Sequence, residues 1–250
     1  MADSACSRHF PPILVAGSGR SGTTWIGDTL AAAAGACSVF EPMAPWALER
    51  PAEGPVTGGE PLGAPGLYLP PEERFPQWEA FWDEVLTGQQ TSSWTRQDWR
   101  MVPPAFRRWR LLSGPAYRLA AARYAAQARR GARFLVKEIY SSLMLPWLCR
   151  RRELRVVFVT RHPCAVVGSR LRLGWPDTLD GLHRQPLLWE RWLAPYEDII
   201  HEASTPVERM AVLWCVENLV PLRSWQADWL HVAYEDLVAD PSHGYARLFR

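Results

Sequence analysis

The sequence predicts an α/β fold with a central parallel sheet that has helices on both faces. Two observations carry this prediction. Short apolar runs of strand length alternate along the chain with longer segments of helical composition. The first apolar run stops at a glycine-rich turn that leads into the first helix. The 250 residues can bury a substantial core, and we expect a single domain over residues 1–250.

Each strand is predicted from a compact apolar run, because a parallel strand covered on both faces carries apolar side chains almost continuously. The runs are residues 13–16 (ILVA), 38–40 (SVF), 134–136 (FLV), 155–160 (RVVFVT) and 231–234 (HVAY). The first stops at Gly17, the second at Glu41, and the third is followed by Lys137 and Glu138. Polar side chains therefore gather where the strands end.

The helices are predicted from longer segments of suitable composition between these strands. They are expected at about residues 23–34, 78–86, 116–130, 141–151, 163–171, 187–203 and 206–223. Residues 50–76 are rich in Pro and Gly and lack periodicity, so they are predicted to form a long loop. A loop of this length in a compact domain is a candidate for substrate contact.

Composition excludes several classes of protein. The 28 Lys and Arg residues against 26 Asp and Glu give a net charge of +2, too small to indicate nucleic-acid binding. The five cysteines form no C-x-x-C pair, and the six histidines have no metal-ligand spacing, so we expect neither a disulfide framework nor a metal site. No apolar run reaches the roughly 18 residues of a membrane span. We therefore expect a cytoplasmic protein without a transmembrane segment.

Residues 17–24 read G-S-G-R-S-G-T-T, which has the G-x-x-x-x-G spacing of a P-loop between a strand and a helix. Glycines let backbone N–H groups converge on an anion, and the helix N-terminus adds further donors and positive charge. The alternative is a plain tight turn in which Thr23 or Thr24 caps the helix. Thr23 stands where a nucleotidase has Lys, and no strand is followed by a Walker B Asp, so a magnesium-triphosphate site is not favoured.

Two segments resemble sulfotransferases that use 3′-phosphoadenosine 5′-phosphosulfate (PAPS). Residues 20–25 (RSGTTW) resemble the family's 5′-phosphosulfate loop, and residues 161–169 (RHPCAVVGS) resemble its 3′-phosphate segment, with Ser169 eight positions after Arg161. The resemblance covers nearly the whole chain and implies a P-loop-containing nucleotide-binding fold. It implies that PAPS is held by Gly19, Arg20, Ser21, Gly22, Thr23, Thr24, Trp25, Arg161 and Ser169.

The resemblance also implies the catalytic groups. Arg20 would lie near the bridging oxygen, where charge develops as the sulfuryl group moves. Glu41 is the first candidate for the general base, because its Phe-Glu-Pro context resembles the Tyr-Glu-Pro segment of carbohydrate 6-O-sulfotransferases; the alternative is a solvated loop carboxylate. Cytosolic family members use a His after the strand equivalent to residues 134–136. This chain has Lys137 and Glu138 there, so Glu138 is the second candidate base and Lys137 a candidate contact to the sulfonate or acceptor.

The predicted function is in-line transfer of sulfuryl from PAPS to a hydroxyl of a carbohydrate or other small-molecule acceptor, without a metal. Two alternatives stay open at this point. One is a nucleotide-dependent kinase with an atypical phosphate loop, and the other is a catalytically inactive nucleotide-binding module. The second gains support at the C-terminus, where residues up to Arg250 lack the Gly-rich basic segment of cytosolic family members and the chain could be a shortened one. The sequence leaves the oligomeric state open.

Overall fold

The computed structural model describes residues 10–44, 66–89, 92, 94–97, 100, 110–129 and 133–249. In these residues, five strands form one sheet in the order β2-β3-β1-β4-β5, and every neighbouring pair is parallel. The strands are β1 (Ile13–Gly17), β2 (Cys37–Phe40), β3 (Phe134–Glu138), β4 (Arg155–Thr160) and β5 (Leu230–Ala233). The predicted central parallel sheet is therefore confirmed.

Helices cover both faces of this sheet. They are α1 (Thr23–Ala34), α2 (Pro76–Leu86), α3 (Arg110–Arg129), α4 (Leu145–Arg151), α5 (Pro163–Arg172), α6 (Glu197–Glu202), α7 (Pro206–Arg223), α8 (Tyr234–Ala239) and α9 (Pro241–Leu248). No helix in the described ranges is long and apolar enough to cross a lipid bilayer.

The two faces of the sheet separate because successive strand residues point to opposite sides. Leu14 of β1 lies in a buried cluster with Trp82 of α2 and with α4 residues. Its neighbours Ile13 and Val15 lie in another cluster, which contains Ile26 of α1 and extends to α8 and β5. Both clusters consist of fully or nearly fully buried side chains, so the sheet forms the middle layer of the fold.

A third buried cluster joins α5 to α7. Val167 of α5 packs there with Leu213 and Val216 of α7, together with side chains from the chain between residues 179 and 203. These two helices are fixed against each other beside the carboxyl edge of the sheet. Their packing positions the polar residues that face the loop after β1.

Two predicted elements are wrong in detail. The helix expected at 187–203 is broken into one turn at Pro186–Leu188, a wide π-type turn at Trp189–Leu193, a 3₁₀ turn at Ala194–Tyr196, and α6. Pro195 explains the break, because proline lacks the N–H that a continuous helix needs. The last strand was expected to include Tyr234, which instead begins α8; Glu235 and Asp236 in the first turn favour a helix start there.

Other boundaries shift. The segment expected as a helix at 141–151 is a 3₁₀ turn at Ser142–Met144 followed by α4. Of the predicted loop at 50–76, residues 50–65 lie outside the described ranges, residues 66–75 have no regular structure, and Pro76 belongs to α2. Gln185 ties the described part of this loop to the core: it accepts from Tyr68 N at 2.8 Å and donates to Gly66 O at 2.9 Å.

We predict that Gly17→Ala is strongly destabilising. Gly17 has φ of 150°, and a methyl group there would lie 2.2 Å from the Val159 carbonyl oxygen. The loss should be about 3 kcal/mol or more, because backbone would have to move. Gly35→Ala is the matched control, since Gly35 has φ of 59° with open space around it; it should cost about 1 kcal/mol from its left-handed backbone alone. Urea unfolding of both variants measures the difference, and equal losses would contradict this packing.

Candidate active site

The loop between β1 and α1 lies at the carboxyl edge of the sheet, where ligands of open parallel sheets bind. Gly17, Arg20 and Gly22 have positive φ angles of 150°, 75° and 97°, so the backbone turns sharply at three points. Gly22 is the N-cap residue of α1, and no side chain caps this helix. Neither Thr23 nor Thr24 therefore caps the helix through its side chain.

This loop leaves several backbone donors unpaired. Ser21 N donates to Ser18 O at 3.1 Å, and Ile26 N donates to Gly22 O at 3.2 Å. Within the described part of the chain, no acceptor pairs with the other N–H groups of this turn, which belong to Gly19, Arg20, Gly22, Thr23 and Thr24. The Ser21 hydroxyl is buried without a partner as well. A row of unpaired donors at a helix N-terminus is the arrangement that binds an anion.

The two segments that resemble sulfotransferase motifs, residues 20–25 and 161–169, meet at Arg20. Arg20 Nε donates to Ser169 Oγ at 3.1 Å, and Arg161 Nη1 donates to the Arg20 carbonyl at 3.0 Å. Neither arginine forms an ion pair with a carboxylate of the described residues. Positive charge that no described carboxylate neutralises is therefore concentrated beside the unpaired N–H groups.

Aromatic rings support these contacts. The Tyr234 ring lies against Gly22, where a methyl group would come within 2.3 Å of it, and the Arg161 guanidinium stacks over the same ring at 4.5 Å. Trp25, in the first turn of α1, is 40% exposed and touches Tyr234 edge-on with centroids 6.0 Å apart. Sequence reasoning placed Tyr234 at the end of the last strand and gave it no role; only the fold brings its ring between the two arginine-bearing segments.

Glu41 and Lys137 form a second polar group at the same edge. Glu41 follows β2, has φ of 40°, and donates its N–H to the Lys137 carbonyl at 2.7 Å. Lys137 Nζ forms a buried ion pair with Glu41 Oε1 and lies 4.7 Å from the centre of the Phe40 ring. Burial lowers the pKa of Lys137, although the Glu41 charge opposes the shift. Two predicted catalytic residues are thus direct partners.

Glu138 is placed differently. Its side chain is fully buried, and its carboxylate accepts hydrogen bonds from Met43 N at 2.8 Å, Ile139 N at 2.7 Å and Tyr140 N at 2.8 Å. These contacts anchor the turns after β2 and β3. The geometry favours a structural role for Glu138, whereas the side chain of Glu41 contacts Lys137 among the described residues.

Three residues behind the loop escaped sequence reasoning as site residues. Arg170 of α5 and Glu217 of α7 form a buried ion pair at 2.6 Å, and Arg170 also donates to the Gly19 carbonyl. Asn218 Nδ2 donates to Ser18 Oγ at 2.9 Å. A signal for Arg170 and Glu217 exists in the sequence, because each is a charged residue at a position that the helix pattern predicts to be buried. Charged residues are almost never fully buried unless they are paired.

In the described ranges, no group of three or more His, Cys, Asp or Glu side chains could hold a metal ion.

The position of Glu138 predicts a pH effect on stability. Burial raises its pKa to about 7, from an ordinary value of 4.5. The folded protein therefore binds the proton more tightly than the unfolded chain, and Glu138 costs stability as pH rises from about 4.5 through 7. Relative to Glu138→Gln, the wild type should lose Tm over this range, by an amount equivalent to a few kcal/mol at most.

Thermal melts at several pH values test this effect. Glu202→Gln is the control, because Glu202 is an exposed carboxylate at the end of α6; its melting curve should follow the wild type. Parallel Tm profiles for wild type and Glu138→Gln would contradict the expectation.

The chain is similar to solved structures of sulfotransferase domains. Two solved structures were found, a sulfotransferase domain from the curacin biosynthetic pathway and one from the Synechococcus PCC 7002 olefin synthase. They are 16% and 17% identical to this chain, with TM-scores of 0.44 and 0.45, and each match covers 96% of this chain and 73% of the other. A search of curated proteins found no match.

A family comparison gives the stronger result. The sequence profile of the sulfotransferase family matches residues 11–250, nearly the whole chain. The match begins just before β1 and includes the loop, both arginine-bearing segments and the Glu41–Lys137 pair. It confirms the predicted class of enzyme. The chain belongs to the sulfotransferase family.

Proposed function

We propose that this protein transfers a sulfuryl group from PAPS to a hydroxyl of a carbohydrate or small-molecule acceptor. The observation that carries the proposal is the cluster of unpaired donors around Arg20. Backbone N–H groups of the loop lack acceptors, and Arg20 and Arg161 lack counterions among the described residues. A nucleotide with two anionic groups, a 5′-phosphosulfate and a 3′-phosphate, suits such a site, since it supplies acceptors for the loop and for both arginines.

The residues present fit PAPS by their donor chemistry. The N–H groups between Gly19 and Thr24 would hold the 5′-phosphosulfate, with the buried Ser21 hydroxyl as a further donor. Arg161 and Ser169 would hold the 3′-phosphate, and the buried Arg161 Nε, which has no partner among the described residues, supports this role. Trp25 offers an exposed aromatic surface beside the same loop.

When bound, PAPS supplies a sulfuryl group attached to a phosphate that leaves readily. Arg20 holds positive charge at the loop, where negative charge grows on the leaving oxygen during transfer. Preorganised charge of this kind stabilises the transition state more than the ground state. The left-handed backbone of Arg20, held at its carbonyl by Arg161, fixes where that charge lies.

Glu41 acts as the general base. Its Oε1 is engaged by Lys137, whereas its Oε2 has no partner in the described part of the chain, so Oε2 is the atom that accepts the proton of the acceptor hydroxyl. Lys137 orients the carboxylate through this contact. Glu138 has no such unpartnered oxygen, because both of its carboxylate oxygens accept from backbone N–H groups.

The donor site predicts selective binding of 3′-phosphoadenosine 5′-phosphate (PAP), the desulfated product. Arg161→Ala should weaken PAP binding about 10- to 100-fold, because a charge-assisted contact to phosphate is lost. Calorimetric titration measures the affinity. Arg172→Ala is the matched control, since Arg172 is an exposed arginine on α5 near Ser169; its PAP affinity should equal that of the wild type.

The same titration includes ATP with magnesium. Binding of PAP that is tighter than binding of ATP supports the proposal, and a preference for ATP would revive a kinase. No binding of either nucleotide would overturn the donor assignment.

The proposed base predicts a separation of binding from turnover. Glu41→Gln should keep PAP affinity and lower kcat by about 10²- to 10⁴-fold, because the proton acceptor is gone. Transfer from radiolabelled PAPS to a panel of sugar and small-molecule hydroxyls gives kcat. Glu202→Gln is the control carboxylate, and melting curves of each variant verify folding. Full turnover in Glu41→Gln, with loss in Glu138→Gln, would move the role of base to Glu138.

A further inference from the structure

A fully buried ion pair stands behind the phosphate-binding loop. Arg170 of α5 is 1% exposed and Glu217 of α7 is 0% exposed, and Arg170 Nη2 donates to Glu217 Oε2 at 2.6 Å. Burying two charges is costly, and apolar side chains of similar volume would stabilise the fold as well or better. Stability alone therefore does not account for this pair between two helices that already share an apolar cluster.

The third partner of the pair is the loop itself. Arg170 donates to the Gly19 carbonyl from Nε at 3.3 Å and from Nη2 at 3.1 Å. A peptide group is planar and trans, so its C=O and N–H point in opposite directions. With the Gly19 carbonyl turned inward to Arg170, the N–H of Arg20 must point outward, to the side of the unpaired donors.

Arg20 needs this support. It is a non-glycine residue with φ of 75°, a conformation that persists only where neighbouring contacts determine it. Arg170 holds the peptide group before Arg20, and Arg161 holds its carbonyl at 3.0 Å on the other side. The residue with the proposed charge role is thus fixed from both sides.

Neighbouring contacts strengthen the same arrangement. Asn218 follows Glu217 on α7 and donates to Ser18 Oγ at 2.9 Å. Glu217 supports the next loop residue, Gly19, through Arg170. Two neighbouring residues of α7 therefore support two neighbouring residues of the loop. The Trp175 ring lies against Gly19, where a methyl group would come within 2.6 Å of it. Arg170 also stacks over this ring at 5.5 Å. The Gly19 backbone is enclosed by polar and aromatic contacts.

We propose that Arg170 and Glu217 are positioning residues that hold the Gly19–Arg20 peptide in its anion-binding orientation. Arg170 makes the contact, and Glu217 orients its guanidinium and balances its charge. This inference rests on the proposed function for its effect on PAP, but the contact itself can be tested without a nucleotide. Neither residue touches the donor or acceptor.

The test is a double variant, Arg170→Met with Glu217→Met. Removing one charge alone would leave the other buried and unpaired, with a risk of misfolding, whereas removing both should preserve or raise Tm. At preserved Tm, we expect PAP to bind at least 10-fold more weakly, and we expect amide hydrogen exchange at Ser21, the loop N–H that donates to Ser18 O at 3.1 Å, to be at least 10-fold faster. A merely structural pair would move neither readout once Tm is preserved.

Arg152→Met with Asp83→Leu is the control, because it removes another ion pair, an exposed one that joins α2 to the end of α4. It should leave loop exchange and PAP affinity unchanged. Wild-type exchange and affinity in the Arg170 and Glu217 double variant would overturn the inference and leave the proposed function standing. If the wild type does not bind PAP, the proposed function fails, and loop exchange alone decides whether the pair holds Gly19.

Discussion

The parallel pairing of β1 with β3 on one side and β4 on the other is the constraint on which the site depends. It places Ala16 beside Glu138 and Gly17 beside Val159, so the three strands end together. The loop after β1, the Lys137 side chain and Arg161 consequently share one edge. A register shift of one residue would send Lys137 to the other face of the sheet, away from Glu41. The chemistry is therefore fixed by strand register before any side chain is considered.

Two buried ion pairs beside this edge of the sheet are the second feature of the site. Lys137 with Glu41, and Arg170 with Glu217, are buried pairs that an apolar core would not require. Each lies at the edge where the strands end, and each orients a group of the proposed site: one the carboxylate of Glu41, the other the peptide before Arg20. Apolar clusters on both faces of the sheet offset the desolvation of these charges. The apolar clusters therefore supply the stability that allows these charged groups to be buried beside the site.

Local signals account for what the sequence predicted. The apolar runs, the glycine spacing and the start of α1 are properties of a few neighbouring residues, and they were predicted closely. Pro195 was underestimated as a helix breaker because the surrounding composition is helical. The Arg170–Glu217 pair and the place of Tyr234 join positions far apart in the chain, which no local pattern reveals. Glu41 and Glu138 are alternatives in the sequence because the backbone bonds that surround Glu138 arise only in the fold.

The contacts of Arg20 raise the question of how one side chain can touch Ser169 and still serve the 5′ end of a nucleotide. A guanidinium has five donors in a fixed plane, and Ser169 takes only the one on Nε. The terminal nitrogens of Arg20 have no partner in the described ranges. Arg161 likewise donates from Nη1 to the Arg20 carbonyl, while its Nε has no partner among the described residues. Each arginine thus uses part of its fork to fix the loop and keeps part for an anion, an arrangement that lysine, with a single nitrogen, could not provide.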